Sequence, residues 1–260
     1  MADSPLKKSA DEAHALIAQH LDLPEETFAR HSSSKQNMFV VEQGEWENHL
    51  VAKIMHEKKL SYEEALEMAQ GAPAYVGPSG RMGFINEGLE DTYDESLFQK
   101  FAAERDVSGA RVRSDDEAMD LAAEKYRREV IAHEMIHRLC GSPEMRYDAN
   151  FINLNEALTQ HLARQLPEIG EHAVGYTNLK AFSDALVDLV GEQAVRDAYF
   201  KGRLVELAVM VNKGQGRDGT FVYALELLNN NQFNSAAEAI KMGQDGHKLR
   251  KRVVGRRSKK

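Results

Sequence analysis

A chain of 260 residues, 42% of them hydrophobic, has enough apolar material for one large globular domain or two small ones. A formal net charge of -8 excludes a body that binds nucleic acid through its phosphates, because such surfaces carry excess Lys and Arg. The single cysteine, Cys140, excludes an internal disulfide, no run approaches 18 consecutive apolar residues, and the opening MADSPLKKSADEA lacks the apolar stretch of a secretory signal.

The first helix is expected from about Ser9 to Leu21, with Ser9 and Glu12 at capping-box spacing. After a polar break at residues 31–37, MFVV at 38–41 is the first strand candidate. Residues 46–70 read as two helices parted near Leu60, the second capped by Ser61 with Glu64. Residues 73–86, PAYVGPSGRMGFIN, place aromatic and β-branched residues around a Pro-Ser-Gly turn and predict a hairpin.

A long helix runs from Ser114 to about Cys140. Ser114 and Glu117 form another capping box, the first turn is acidic, and Gly141 stands where a glycine would end it. The next helix starts near Asn153 and continues until Pro167. Beyond Tyr176 the apolar spacing of LKAFSDALVDLV, EQAVRDAYF, GRLVELAVMV and TFVYALELL is helical throughout, and its Leu, Ala and Val residues form a core stripe.

The expected fold is therefore α+β, predominantly α, with a small N-terminal sheet or hairpin region and a helical C-terminal half. The expected divisions are an α+β subdomain over 1–113, a helical subdomain over 114–240 and a basic, disordered tail over 241–260. Eight of the 33 Lys and Arg lie in the last 13 residues, which hold no acid, so the rest has 25 positive against 41 negative residues, a net of -16. That tail reads as a solvated end, with a nuclear-targeting or anionic-surface patch as the alternative. With no secretory signal and one cysteine, the expected location is the cytoplasm where the chain is made.

Within the long helix, His133, Glu134, Met135, Ile136 and His137 spell HExxH. Helical residues four apart lie one turn above each other on one face, so both imidazoles reach a single ion. A catalytic zinc takes three protein ligands and keeps one position open. Glu156 fits as the third ligand: it lies in the following helix, after a loop rich enough in turn formers to reverse the chain.

HExxH followed after eighteen residues by the glutamate of Asn155-Glu156-Ala157-Leu158-Thr159 resembles the gluzincin class of zinc metallopeptidases, over roughly residues 114–166. The resemblance implies a zincin-like fold, Zn2+ as cofactor, His133, His137 and Glu156 as ligands, and Glu134 as general base. It also implies an oxyanion stabiliser downstream of the third ligand, for which Tyr176 is the candidate, with His172 and Tyr199 behind it. The hairpin at 73–86 is then expected to offer an edge strand to an extended peptide.

Rival readings stand beside these. His161, one turn past Glu156, is a second candidate ligand or a solvated flank residue. Cys140 is a fourth ligand, a thiol switch or, in the favoured reading, packing. Tyr176 is an oxyanion donor or a buried aromatic, while His14, His20, His31, His49, His56 and His247 are ordinary histidines.

The function expected is a zinc endopeptidase acting on a protein substrate. Its compact size, lack of a secretory signal and single cysteine resemble bacterial zincins that act in a target cell as effectors or toxins, which implies export by a signal-independent route. The alternatives are a catalytically silent, metal-stabilised binding or regulatory protein, and a module that binds nucleic acid or a membrane surface through residues 248–260.

Overall fold

The computed structural model describes residues 5–32, 38–70, 72–76, 83–167, 169 and 177–242. Among these the chain is mostly helical with one small three-stranded sheet, an α+β fold dominated by α. It divides into two compact units, Met1–Leu139 with Leu162–Gly175, and Cys140–His161 with Tyr176–Lys260.

The first unit contains α1 (Pro5–His20), α2 (Glu25–Ser32), β1 (Met38–Val41), α3 (Trp46–Lys58), α4 (Tyr62–Gln70), β2 (Ala74–Val76), β3 (Gly83–Asn86), α5 (Glu95–Ala103) and α6 (Asp115–Leu139). The central strand is β3, antiparallel to β2 as the hairpin reading expects and parallel to β1, with Tyr75 and Phe39 both opposite Phe84. The chain from β1 to β3 includes α3 and α4, the long crossover a parallel pair needs. The Pro-Ser-Gly turn at 78–80 lies outside the described residues.

Phe84 joins Trp46, Leu50, Val51 and Ile54 of α3 and Ala65 and Ala69 of α4 in one core cluster. Their spacing of three and four residues gives each helix one apolar stripe. Ser61 caps α4 as expected: its backbone N–H and hydroxyl both donate to Glu64 Oε2, at 2.9 and 2.8 Å, and its Oγ accepts the Glu64 N–H at 3.3 Å.

The same box opens α6, where Ser114 donates to Glu117 Oε2 at 2.8 and 2.9 Å and accepts the Glu117 N–H at 3.3 Å. The expected third box is absent. Helix α1 already runs from Pro5, whose fixed φ suits a first turn, and Ser9 is buried inside the helix. Glu12 turns instead to Arg128 of α6, at 3.2 Å.

The N-terminal turns of α6 are acidic and exposed, whereas Glu129–Ile136 are buried without a break. Helix α6 packs with α1, α2, α5 and strands β2 and β3. Helix α6 thus shares one compact unit and its core with the elements that precede it.

The second unit contains α7 (Pro143–Tyr147), a 3-10 turn at Ala149–Phe151, α8 (Ile152–Ala163), α9 (Thr177–Val190), α10 (Glu192–Lys201), α11 (Leu204–Gly214), α12 (Thr220–Asn229) and α13 (Phe233–Lys241). Helix α9 packs with α10, α11 and α13, and α12 with α11 and α13. Phe182, Leu186, Val195, Leu207, Phe221, Leu228 and Ile240 are buried.

Gly141 is glycine for a reason other than the expected helix cap. It is not among the glycines with positive φ, but a Cβ there would stand 2.1 Å from the Phe200 carbonyl oxygen. Its N–H donates to the Tyr199 carbonyl at 2.6 Å. Of the expected tail, Lys241 closes α13 and Met242 follows in a turn; residues 243–260 lie outside the described residues. Among those described, no helix is long and apolar enough to cross a membrane.

Candidate metal centre

The buried half of α6 carries the polar residues that a core does not accept without partners. His133 is 1% exposed and Glu134 is 9% exposed, among Val130, Ile131, Ala132, Met135 and Ile136, all fully buried. A carboxylate and an imidazole placed there need a chemical reason.

The two imidazoles converge. His133 Nε2 and His137 Nε2 stand 3.0 Å apart, with ring centroids 4.6 Å apart and planes at 78°. Two nitrogens bound at about 2.0–2.1 Å to one tetrahedral zinc are separated by about 3.3 Å, so this pair is within a few tenths of an ångström of that geometry.

Glu156, half-buried on α8, completes a group whose ligand atoms all lie within 4.8 Å of one another. The donor set of two imidazoles and one carboxylate is chemically suited to zinc. These three residues can therefore hold a metal ion.

Around Glu156 the second unit supplies a polar chain that sequence reasoning missed. Thr159 Oγ1 is 2.5 Å from the Tyr199 hydroxyl and 3.4 Å from Asn155 Oδ1. Asn155 Nδ2 donates to the Met145 carbonyl at 3.3 Å. Polar residues at 155 and 159, one turn apart in a helix that buries Leu154, Ala157 and Leu158, were the available signal.

Tyr199 is fully buried, which removes it from contact with substrate. Burial first, then Cys140 and after it the Glu156 charge, hold its hydroxyl well above the usual tyrosine range, against the opposing effect of the hydrogen bond with Thr159. Tyr176 and His172, the other oxyanion candidates, lie outside the described residues.

His161 turns away to another partner: its Nε2 is 2.8 Å from Glu192 Oε2, and Arg196 holds the other carboxylate oxygen at 3.0 Å. Cys140 is a buried free thiol whose Sγ lies 3.8 Å from the Ser142 carbonyl. Neither belongs to the ligand group. His14 and His31 stack at 3.9 Å, each ring nitrogen on the other's carbonyl, and His49 tilts against Phe84.

No protein-family model, no curated protein and no solved structure matches the chain, so the chemistry of the centre is read from its own residues.

Proposed function

We propose that the chain is a zinc-dependent endopeptidase of gluzincin type, hydrolysing peptide bonds of a protein substrate. The observation that carries this reading is the convergence of His133 Nε2 and His137 Nε2 to 3.0 Å, in a group that the Glu156 carboxylate joins. A zincin-like fold is part of the proposal, supported by the HExxH helix and the glutamate helix that follows it.

In this reading the three side chains bind the ion and leave one of four positions for the reactants. Zinc held there supplies Lewis acidity and brings the pKa of water towards about 7. Glu134 is the general base. Its carboxylate takes a proton from water as the water oxygen adds to the scissile carbonyl carbon, then gives it to the amine nitrogen as the C–N bond breaks. Its near-burial keeps the carboxylate in surroundings of low dielectric, where its charge acts most strongly on the reacting atoms.

A silent, metal-stabilised binding protein would share the ligands, so Glu134 separates the two functions. The test is zinc content of the wild type and of Glu134→Gln by elemental analysis, with cleavage of a denatured proteome with and without a chelator. One zinc in both proteins and chelator-sensitive cleavage only by the wild type is the expected result. Zinc without cleavage in the wild type would favour the binding protein, and no zinc in either would end the reading.

A further inference from the structure

The hydrogen-bonded chain beside Glu156 has a direction. A backbone carbonyl only accepts, so the contact with Met145 settles which end of the Asn155 amide is the nitrogen. The amide oxygen is left to accept from the Thr159 hydroxyl, and the Thr159 lone pairs are left to accept from Tyr199. Tyr199 therefore donates to Thr159, Thr159 to Asn155 Oδ1, and Asn155 Nδ2 to Met145.

Glu156 sits in the helical turn bounded by Asn155 and Thr159, and both of those residues are tied down by this chain. The far end is anchored too, because the Tyr199 carbonyl accepts the Gly141 N–H at 2.6 Å. The phenol ring packs edge-on against Phe200, with centroids 5.3 Å apart at 89°. A hydroxyl so placed has little freedom to turn elsewhere.

We infer that Tyr199 is a positioning residue for the metal centre, fixing through Thr159 and Asn155 the rotation of α8 and hence the aim of the Glu156 carboxylate. The inference rests on the reading of Glu156 as third ligand. Groups that orient a ligand from behind typically change metal affinity 10- to 100-fold when removed.

Tyr199→Phe keeps the packed ring and removes only the hydroxyl, Thr159→Val removes the relay, and Thr159→Ser retains it. The readouts are the zinc dissociation constant, by competition with a chromophoric chelator, and the visible spectrum of the cobalt-loaded protein. Tyr199→Phe and Thr159→Val are each expected to bind zinc about 10- to 100-fold more weakly and to shift the cobalt bands. The double variant should fall no further, since both changes cut one chain, and Thr159→Ser should stay close to the wild type. Thr159→Val gives the same reading if urea unfolding shows that Tyr199→Phe has lost its fold. Wild-type zinc binding with both variants within about twofold of it would overturn the inference alone, whereas a wild type that takes up no zinc would overturn it together with the metal reading.

Discussion

The backbone of Gly141 lies so close to that of Phe200 that a Cβ on Gly141 would stand 2.1 Å from the Phe200 carbonyl oxygen. The approach is mutual in this corner, for a Cβ on Gly202, itself at φ +69, would stand 2.9 Å from the Gly141 carbonyl oxygen. Neither neighbour is a flexible side-chain end. Gly141→Ala is expected to cost about 1–3 kcal/mol, as overpacking does in other cores. Urea unfolding measures it, and an unchanged midpoint would show that the corner is softer than its distances imply.

Glu134→Gln is expected to keep zinc and to lose about 10²- to 10⁴-fold in peptide hydrolysis, the usual worth of a positioned base. His133→Ala and Glu156→Ala are expected to lose both metal and hydrolysis. Elemental analysis of each variant checks this, and retained zinc in Glu156→Ala would remove Glu156 from the ligand set.

His161→Ala should leave zinc stoichiometry at the wild-type value, because its ring is engaged by Glu192 at 2.8 Å rather than by the ligand group. Zinc loss in that variant would make His161 a ligand and break the assignment.

Ser114→Ala is expected to cost about 1 kcal/mol at neutral pH through loss of the helix cap. The pH dependence has a definite sign. Hydrogen bonds from the Ser114 backbone, then from its hydroxyl, hold the Glu117 carboxyl below its ordinary value, and Ser61 does the same to Glu64. Their contribution is therefore complete above the unfolded value of about 4.3 and is lost as pH falls through the lower folded-state value. Unfolding curves between pH 6 and pH 3 should fall less steeply with acid in Glu117→Gln than in the wild type, and parallel curves would dismiss the contact.

What the sequence disclosed follows from how local each signal is. The boxes at Ser61 and Ser114 are legible because donor and acceptor lie three residues apart, and MFVV is legible because its composition allows little else. Ser9 and Glu12 have the same spacing and mislead, because the start of α1 is decided by Pro5 and by the burial of Ser9. The parallel pairing of β1 with β3 is invisible along the chain, as is the meeting of Thr159 with Tyr199 forty residues later. The helices α2, α5, α7 and α13 are short, and so few residues carry little periodicity to read along the chain. Of these, α5 had a readable start in Asp94, whose carboxylate accepts the Leu97 N–H at 3.0 Å. The grouping of His133, His137 and Glu156 was legible because residues four apart share a helix face and a loop rich in turn formers separates them from the glutamate helix.

The two halves of α6 have different reasons to exist. The first, DDEAMDLAAEK, combines strong helix formers with a cap, and its only fully buried positions, Ala118 and Ala122, pack with Leu97 and Phe101 of α5. The second contains Val130, Ile131, Ile136 and both histidines, poorer helix formers, and is helical because it is enclosed by the rest of its unit. His133 and His137 stand on the conditional half. The pairing of the two imidazoles thus depends on the packing of the whole unit, and under the proposed function metal capture would follow folding rather than start it.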